Sequence, residues 1–544
     1  MTQTVATVVG SLLARLGVGH AFGVVGSGNF HVTNALRAEG VPFTAARHEG
    51  GAACMADGYS RLAVQPAVLS VHQGCGLTNA MTGIAEAAKS RTPMIVLAAD
   101  TAGAAVNSNF RVDTAALAAS VGAVAERVHG PASAVADITR AYQTATRGRR
   151  TVVVSLPLDV QAAPLDTAPP APRPAPAPPA RPAASAVDDL AALLAGADRP
   201  VFIAGRGGRA AGPAIAALAR RAGALLATSA VANGLFAADE FNLGISGGFA
   251  APLAAGLISD ADLIVGWGCA LNMWTTRHGT LIGTAARVAS VDDDIAALGA
   301  HRPIDLGILG DCGATAADAL DALKQRKTGY RTAAISARLA QQRWWNDVPT
   351  ADLGTADRVD PREFSKALDR ALPAERMVSV DSGNFMGYPS AYLRVPDELG
   401  FCFTQAFQSI GLGLASGIGA GLAQPGRLPV IAVGDGGFLM GVADLETAVR
   451  LGRPMVIAVY NDAAYGAEVH HFGPTADLGT VTFPDSDIAA IARGFGAAGI
   501  TVRTPGDMAA VEAWAERPAG VLVIDAKIAS DGGSWWLAEA FRGH

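Results

Sequence analysis

LPVIAVGDGGFLMGVADLETAVRLGRPMVIAVYNDAAYG, residues 428–466, holds two apolar runs on either side of a glycine-flanked acid and a helical stripe. LPVIAV (428–433) and MVIAVY (455–460) lack the alternation of a strand with one wet face, so they read as strands buried on both faces. Gly434-Asp435-Gly436-Gly437 reads as the turn between strand and helix, and Val442, Leu445, Ala448 and Val449 fall on one helical face. The unit is strand–helix–strand. If its two strands are neighbours, their carboxyl ends bring Asp435 beside the Asn461-Asp462 pair.

The same grammar recurs along the chain. HAFGVVG, PAVLSV, PMIVLAA and TVVVSLP read as strands in the first third, PVFIAGRGG, DLIVGWG and ARVASVD in the middle, and MVSVDSG and GVLVIDAK join the opening pair in the last. Unbroken apolar strands separated by helical patterns specify parallel sheets covered on both faces. The Pro/Ala-rich stretch APPAPRPAPAPPARPAAS (168–185) has neither period nor core and reads as a semi-rigid linker, and a polar stretch with Trp344 and Trp345 marks a second break. The expected organisation is α/β, three doubly wound parallel-sheet domains: 1–165, a linker at 166–185, 186–325, a linker at 326–357, and 358–544. Ligands of such sheets gather beyond the strands' carboxyl ends, where the glycine-rich turns lie.

Bulk properties narrow the function. Half of the 544 residues are apolar, the net charge is −6, and there is no basic patch, so no nucleic-acid partner is expected. The five cysteines (Cys54, Cys75, Cys269, Cys312, Cys402) are scattered, with no CxxC pair, which fits a reducing cytoplasm rather than a disulfide framework or structural metal site. The apolar stretches are rich in Ala and Gly and broken by polar residues, so no membrane span is expected. Val5, Val8, Val9, Leu12, Leu13 and Leu16 give the amino terminus the stripe of a packed helix rather than a signal peptide.

Glycines at a helix start let backbone N–H groups approach a phosphate, and the helix dipole favours its charge. Two hard oxygen ligands beside a diphosphate suit Mg²⁺, which prefers carboxylates together with phosphate oxygens. The opening stretch therefore reads as a clamp for a metal-bridged diphosphate.

GDG followed at an interval by Asn-Asp resembles the thiamine-diphosphate motif of the acetolactate synthase, pyruvate decarboxylase and benzoylformate decarboxylase superfamily. In that family the second residue of the doublet is the ligand, 27 positions beyond the GDG aspartate, and Asp462 stands at that interval (462 − 435). The resemblance implies Asp435, Asp462 and the Ala464 carbonyl as Mg²⁺ ligands, with Asn461 as the fallback, and Gly434, Gly436 and Gly437 around the diphosphate. ARHEGGAACMADGYSR (46–61) resembles the activating-glutamate segment, with Glu49 as the acid that bonds the aminopyrimidine ring. To hold its proton near neutral pH that acid needs an apolar site, and Ala52, Ala53, Cys54 and Met55 are its apolar neighbours in sequence. TQAFQSIGLGLASGIGAGLA (404–423) resembles the segment that bends the cofactor, with Ile410 as the wedge and the Gln408 carbonyl as acceptor. VDSGNFMG (380–387) resembles a second diphosphate loop, carrying Asn384. The order pyrimidine-binding domain, middle Rossmann-like domain, diphosphate-binding domain follows. So does a homodimer or homotetramer with interfacial active sites, Glu49 coming from one copy and the metal clamp from another.

The reaction branch is read from further residues. Ser27 in GVVGSGNF and His72 in SVHQGCGLTNAM resemble the carboxylate-binding serine and catalytic histidine of the benzoylformate decarboxylase branch. Acetolactate synthases carry Ser-Gly-Pro-Gly where this chain has Gln73-Gly74-Cys75-Gly76, and their Phe-Gln-Glu has become Phe110-Arg111-Val112. Glu468 lies where pyruvate decarboxylase has its active-site glutamate, yet that enzyme's His-His doublet is missing near 105–115, and His470-His471 follows Glu468 instead. The expected function is a non-oxidative 2-oxo acid decarboxylase/carboligase, a lyase using thiamine diphosphate and Mg²⁺ on a small 2-oxo acid or aldehyde. The alternatives are an acetolactate synthase-like transferase, a 2-hydroxyacyl lyase, or a non-catalytic cofactor-binding paralogue. GRGG (205–208) is a weak nucleotide signal in the middle domain, and FAD is not expected there.

Overall fold

The computed structural model describes residues 3–165, 178–532 and 535–540; most of the expected 166–185 linker lies outside them. Eighteen strands make three six-stranded parallel sheets. The first comprises β1 (His20–Gly23), β2 (Phe43–Ala45), β3 (Ala67–Val71), β4 (Met94–Asp100), β5 (Val124–Arg127) and β6 (Thr151–Pro157), in the order β2-β1-β3-β4-β6-β5. The second comprises β7 (Pro200–Ala204), β8 (Leu225–Thr228), β9 (Asn242–Ile245), β10 (Leu263–Trp267), β11 (Arg287–Asp292) and β12 (Leu306–Leu309), in the order β9-β8-β7-β10-β11-β12. The third comprises β13 (Arg376–Val380), β14 (Phe401–Phe403), β15 (Leu428–Gly434), β16 (Met455–Asn461), β17 (Ala498–Val502) and β18 (Val521–Lys527), in the order β14-β13-β15-β16-β18-β17. The chain therefore has the α/β class with three doubly wound sheets. The inner strands are mainly apolar because helices cover both faces: every residue of β3, β10, β16 and β18 is buried, the few polar ones (Ser70, Asn461, Asp525, Lys527) included.

The helices that matter for the site are α1 (Val5–Leu16), α2 (Glu49–Leu62), α3 (Cys75–Lys89), α4 (Gly413–Ala423), α5 (Asp435–Gly441), α6 (Leu445–Leu451) and α7 (Gly466–Phe472). α1 buries its stripe as expected. Thr4 caps its start by accepting from the Thr7 N–H, and Gly17 ends it in the left-handed region at φ 99°. Residues 326–357 include a helix over Ala333–Gln342, whose Leu339 is buried against the second sheet, and the Trp345 indole donates to the Phe249 carbonyl.

The first and third sheets are joined through α2 and α4. From Ala52 to Leu62 every residue of α2 is buried, and one continuous apolar cluster runs from β3 through α2 and α4 to β15. The two helices meet almost backbone to backbone. A Cβ on Gly58 would lie 2.1 Å from the Ser416 carbonyl oxygen, and one on Gly419 would lie 1.9 Å from that of Met55. Small residues here are a steric requirement, with no slack for a larger side chain.

Candidate functional site

β15 and β16 are hydrogen-bonded neighbours in parallel register, with Gly434 opposite Tyr460. Asp435, the first residue of α5, thus comes beside Asp462, one residue past the end of β16. The two carboxyls hydrogen-bond to each other. Burial and the facing Asp462 push the Asp435 carboxyl up to about 7, and burial raises that of Asp462 as well. Asn461 points elsewhere: its amide N–H₂ donates to Asp525 (2.8 Å) and its carbonyl accepts from the Ala463 N–H (3.1 Å). The Asn384 amide bonds Asp462, and the Ala464 N–H donates to the same carboxylate at 3.2 Å.

Glycines keep this corner open. A Cβ on Gly466 would meet Asp462 at 2.3 Å, one on Gly436 the Tyr465 ring at 2.7 Å, and one on Gly437 Asp381 at 2.6 Å. Among the described residues no three His, Cys, Asp or Glu side chains are grouped to hold a metal ion. Two carboxylates and a backbone carbonyl are therefore what the chain offers, and a hard cation here would draw its remaining oxygens from a diphosphate and water. That donor set fits Mg²⁺ bound with a phosphate ligand.

The segment between β14 and α4 carries Gln408 and Ile410. Gln408 takes a left-handed backbone (φ 63°) and is exposed, and its carbonyl accepts from the Ser382 hydroxyl at 3.4 Å. Ile410 is half-buried ahead of α4. Asp381, at the end of β13, accepts from the N–H of Gly411 at 2.9 Å and from those of Leu412 and Gly413, and burial pushes its carboxyl up to about 7.

In the amino-terminal sheet, Ser27 follows β1 and His72 follows β3, which are adjacent strands. The Ser27 hydroxyl lies 3.4 Å from His72 Nε2, and His72 Nδ1 lies 3.1 Å from the Gln73 carbonyl. A carbonyl only accepts, so the proton of the neutral ring belongs on Nδ1 and the Nε2 lone pair faces Ser27. Phe110 packs edge-on against the imidazole at 5.2 Å.

Glu49 opens α2, half-buried, and its carboxylate accepts from the Asn79 amide at 3.0 Å. Among the described residues, its expected apolar neighbours lie elsewhere: Ala52, Ala53, Cys54 and Met55 are buried in the cluster shared with α4, one turn further into the protein, while the first turn of α2 is half-exposed, with the Arg47 N–H just before it donating to Asp444 at 3.0 Å. No hydrogen bond links Glu49 to Asp435, Asp462 or Gln408 among the described residues. The two groups of candidate residues thus stand as separate half-sites, each flanked by exposed apolar side chains: Val25, Phe30 and Phe110 on one, Phe407, Leu439 and Met440 on the other.

Glu468 lies on α7, half-exposed, four residues beyond Ala464, and His470 and His471 occupy the last turn of that helix. Three residues with a part in this geometry carried no sequence signal: Asn79, Ser382 and Asp381. The last two stand inside VDSGNFMG, whose Asn384 alone drew notice. Above the second sheet, where the strand order reverses between β7 and β10, a cavity of about 520 Å³ is lined by Gly205, Arg206, Gly207, Gly268 and Asp292. The Arg206 guanidinium crosses to the Ser90 hydroxyl at 2.9 Å. No helix among the described residues is long and apolar enough to cross a membrane.

Family models match the chain three times: the N-terminal TPP binding domain of thiamine pyrophosphate enzymes at residues 3–119, the central domain at 187–323 and the C-terminal TPP binding domain at 381–526. A protein of Pseudomonas aeruginosa named as a probable 2-ketoarginine decarboxylase is 32% identical, over 94% of this chain and 91% of its own. The sulfoacetaldehyde acetyltransferase of Rhodobacter capsulatus is 29% identical over 100% and 96%, and the acetolactate synthase of Bacillus subtilis 29% over 96% and 93%. The paired strand-end acids, the glycine-lined corner beside them and three domain matches in chain order have one meaning: this chain belongs to the thiamine pyrophosphate enzymes and works with thiamine diphosphate.

Proposed function

We propose that the protein is a Mg²⁺-dependent, non-oxidative 2-oxo acid decarboxylase/carboligase of the benzoylformate decarboxylase type, acting as a homodimer or homotetramer with interfacial active sites. The observation that carries the reaction type is the Ser27–His72 pair, an alcohol and an imidazole on adjacent strand ends with the Nε2 lone pair turned outward. Bound thiamine diphosphate supplies a thiazolium that accepts the electron pair released when CO₂ leaves a 2-oxo acid. The chain's residues do the rest. Asp435, Asp462 and the Ala464 carbonyl would hold Mg²⁺ and, through it, the diphosphate, Gly434, Gly436 and Gly437 would leave room for it, and Asn384 orients Asp462. The Gln408 carbonyl and Ile410 would hold the ring end of the cofactor. Ser27 holds the substrate carboxylate, His72 moves a proton at Nε2, and Glu468 assists protonation or release.

Glu49 of a second copy completes the site at the aminopyrimidine end. Its outward-facing position and the exposed Phe407, Leu439 and Met440 beside the other half-site support that arrangement. The reading requires no flavin, and a colourless purified protein is the expected outcome; a yellow one would overturn it. The 2-ketoarginine decarboxylase relative favours decarboxylation, while the acetyltransferase and acetolactate synthase relatives keep acyl transfer as the second reading. Incubation with a panel of 2-oxo acids, scoring CO₂ and the aldehyde product, tests the choice. Release of acetolactate from pyruvate in place of acetaldehyde would move the enzyme to the transferase branch.

A further inference from the structure

Glu86 is a fully buried carboxylate near the end of α3, in the amino-terminal domain, and its bonds reach across to the carboxyl-terminal domain. Oε1 accepts from the Ala406 N–H at 3.0 Å and Oε2 from the Phe407 N–H at 2.6 Å. Arg61, equally buried on α2, donates to Glu86 Oε1 at 2.7 Å, to Asp57 at 3.0 Å and to the Phe403 carbonyl at 2.7 Å. Lys89, one turn after Glu86, stands 5.4 Å from the centre of the Phe407 ring. At the other end of the same segment Asp381 holds Gly411. Residues 404–411 are thus anchored from two domains, and between the anchors lie Gln408, in its left-handed conformation, and Ile410.

We infer that Glu86, supported by Arg61, is a positioning residue for the cofactor: it fixes the Ala406-Phe407 backbone and through it the Gln408 carbonyl and Ile410. Two charge-assisted bonds to adjacent N–H groups restrain both the position and the rotation of that peptide, which a single bond does not. A left-handed non-glycine residue persists only where its surroundings over-determine it, and Glu86 and Asp381 are the groups that do so here. The amino-terminal domain then has two separable tasks. It shapes the cofactor loop of its own chain through Glu86, and it presents Glu49 outward.

This inference rests on the proposed role of the 404–411 segment, and the test separates the two. Glu86→Gln, Glu86→Asp and Ile410→Ala are made in the full-length protein. Hydrogen exchange of the 404–412 amides is followed in the cofactor-free state, and thiamine diphosphate affinity is measured by calorimetry at fixed Mg²⁺. In Glu86→Gln the amides should exchange faster and the dissociation constant should rise about tenfold, the size expected from losing one charged hydrogen bond in a buried site. Turnover should recover at saturating cofactor, and Glu86→Asp, one methylene short but still charged, should rescue part of the loss. Unchanged affinity in Glu86→Gln while Ile410→Ala weakens binding overturns the role of Glu86. Unchanged affinity in both variants overturns the reading of the segment itself. Should Glu86→Gln fail to fold for want of a partner to Arg61, Glu86→Asp carries the test: faster exchange without weaker binding sinks the inference.

Discussion

The first and third sheets have the same strand order, 2-1-3-4-6-5 when each is numbered from its own first strand, and yet their strand ends carry opposite chemistry. The amino-terminal ends present a hydroxyl, an imidazole and a carboxylate that accepts from the Asn79 amide. The carboxyl-terminal ends present two acids pressed together, burial raising the pKa of each and the facing Asp462 adding to the rise at Asp435. In the proposed function, one scaffold thus serves both as a half-site for proton handling and as a half-site for a cation and its anionic ligand. The difference lies largely in a few residues at equivalent turns, since the strands beneath are in both sheets mainly buried apolar runs. Fold recurrence therefore says little about role, and the turn residues say nearly everything.

The strongest way to break this division of labour is to disable each half separately. Glu49→Gln and Asp435→Asn should each cut turnover on the order of 10³-fold, roughly 4 kcal/mol of transition-state stabilisation, with circular dichroism unchanged. Co-expressing the two inactive variants should restore a measurable part of the activity if the halves meet across copies. Complete inactivity of the mixture would place both halves within one chain. Next in size, His72→Ala should lower kcat/KM about a hundredfold, read from initial rates on the preferred 2-oxo acid.

A third effect concerns the helix crossing that joins the two sheets. Gly58→Val must push a branched side chain into the Ser416 backbone, and overpacking of this kind costs about 3 kcal/mol, read as a drop in thermal midpoint; an unchanged midpoint would refute the close contact. The smallest effect is a pH dependence. Asp435 and Asp381 hold their protons in the folded state up to about pH 7, whereas in the unfolded chain they lose them near the ordinary aspartate value of about 4. The folded state therefore binds more protons between those limits, and stability falls as pH rises through them. The metal-free protein should melt at a lower temperature at pH 8 than at pH 5, Asp435→Asn should remove part of that fall, and Mg²⁺ with thiamine diphosphate should oppose it.

How much of this was written plainly in the sequence depended on distance along the chain. MIVLAA, VVVSLP and MVIAVY could be read as strands because they are buried on both faces. Val124–Arg127 could not: as an edge strand, VAER alternates between half-buried and exposed residues and leaves no apolar run. Leu306–Leu309 is a short edge strand broken by Gly307, with Ile308 alone fully buried. Leu225–Thr228 escaped for another reason, since its LLAT continues the Ala-rich pattern of the helix before it. The acid pair was legible because Asp435 sits in a local glycine-bearing turn and Asp462 stands 27 positions on, just past the next apolar strand. Glu86 and Asp381 were not, because what they hold lies 320 and 30 residues away and a buried carboxylate has no local signature. The outward placement of Glu49 was hidden for a related reason: four apolar neighbours in sequence describe the inner side of a helix, not the surroundings of its first residue.

The crossing at Gly58 and Gly419 has one more consequence. With backbones this close at Gly58 and Gly419 there is no room there for a larger side chain, so the two helices have no gradual way to slide past each other at that point. On the proposed function, new substrates, whether reached by selection or by design, would be accommodated in the outer turns around Ser27, Phe110 and Glu468, while the joint beneath them stays as it is.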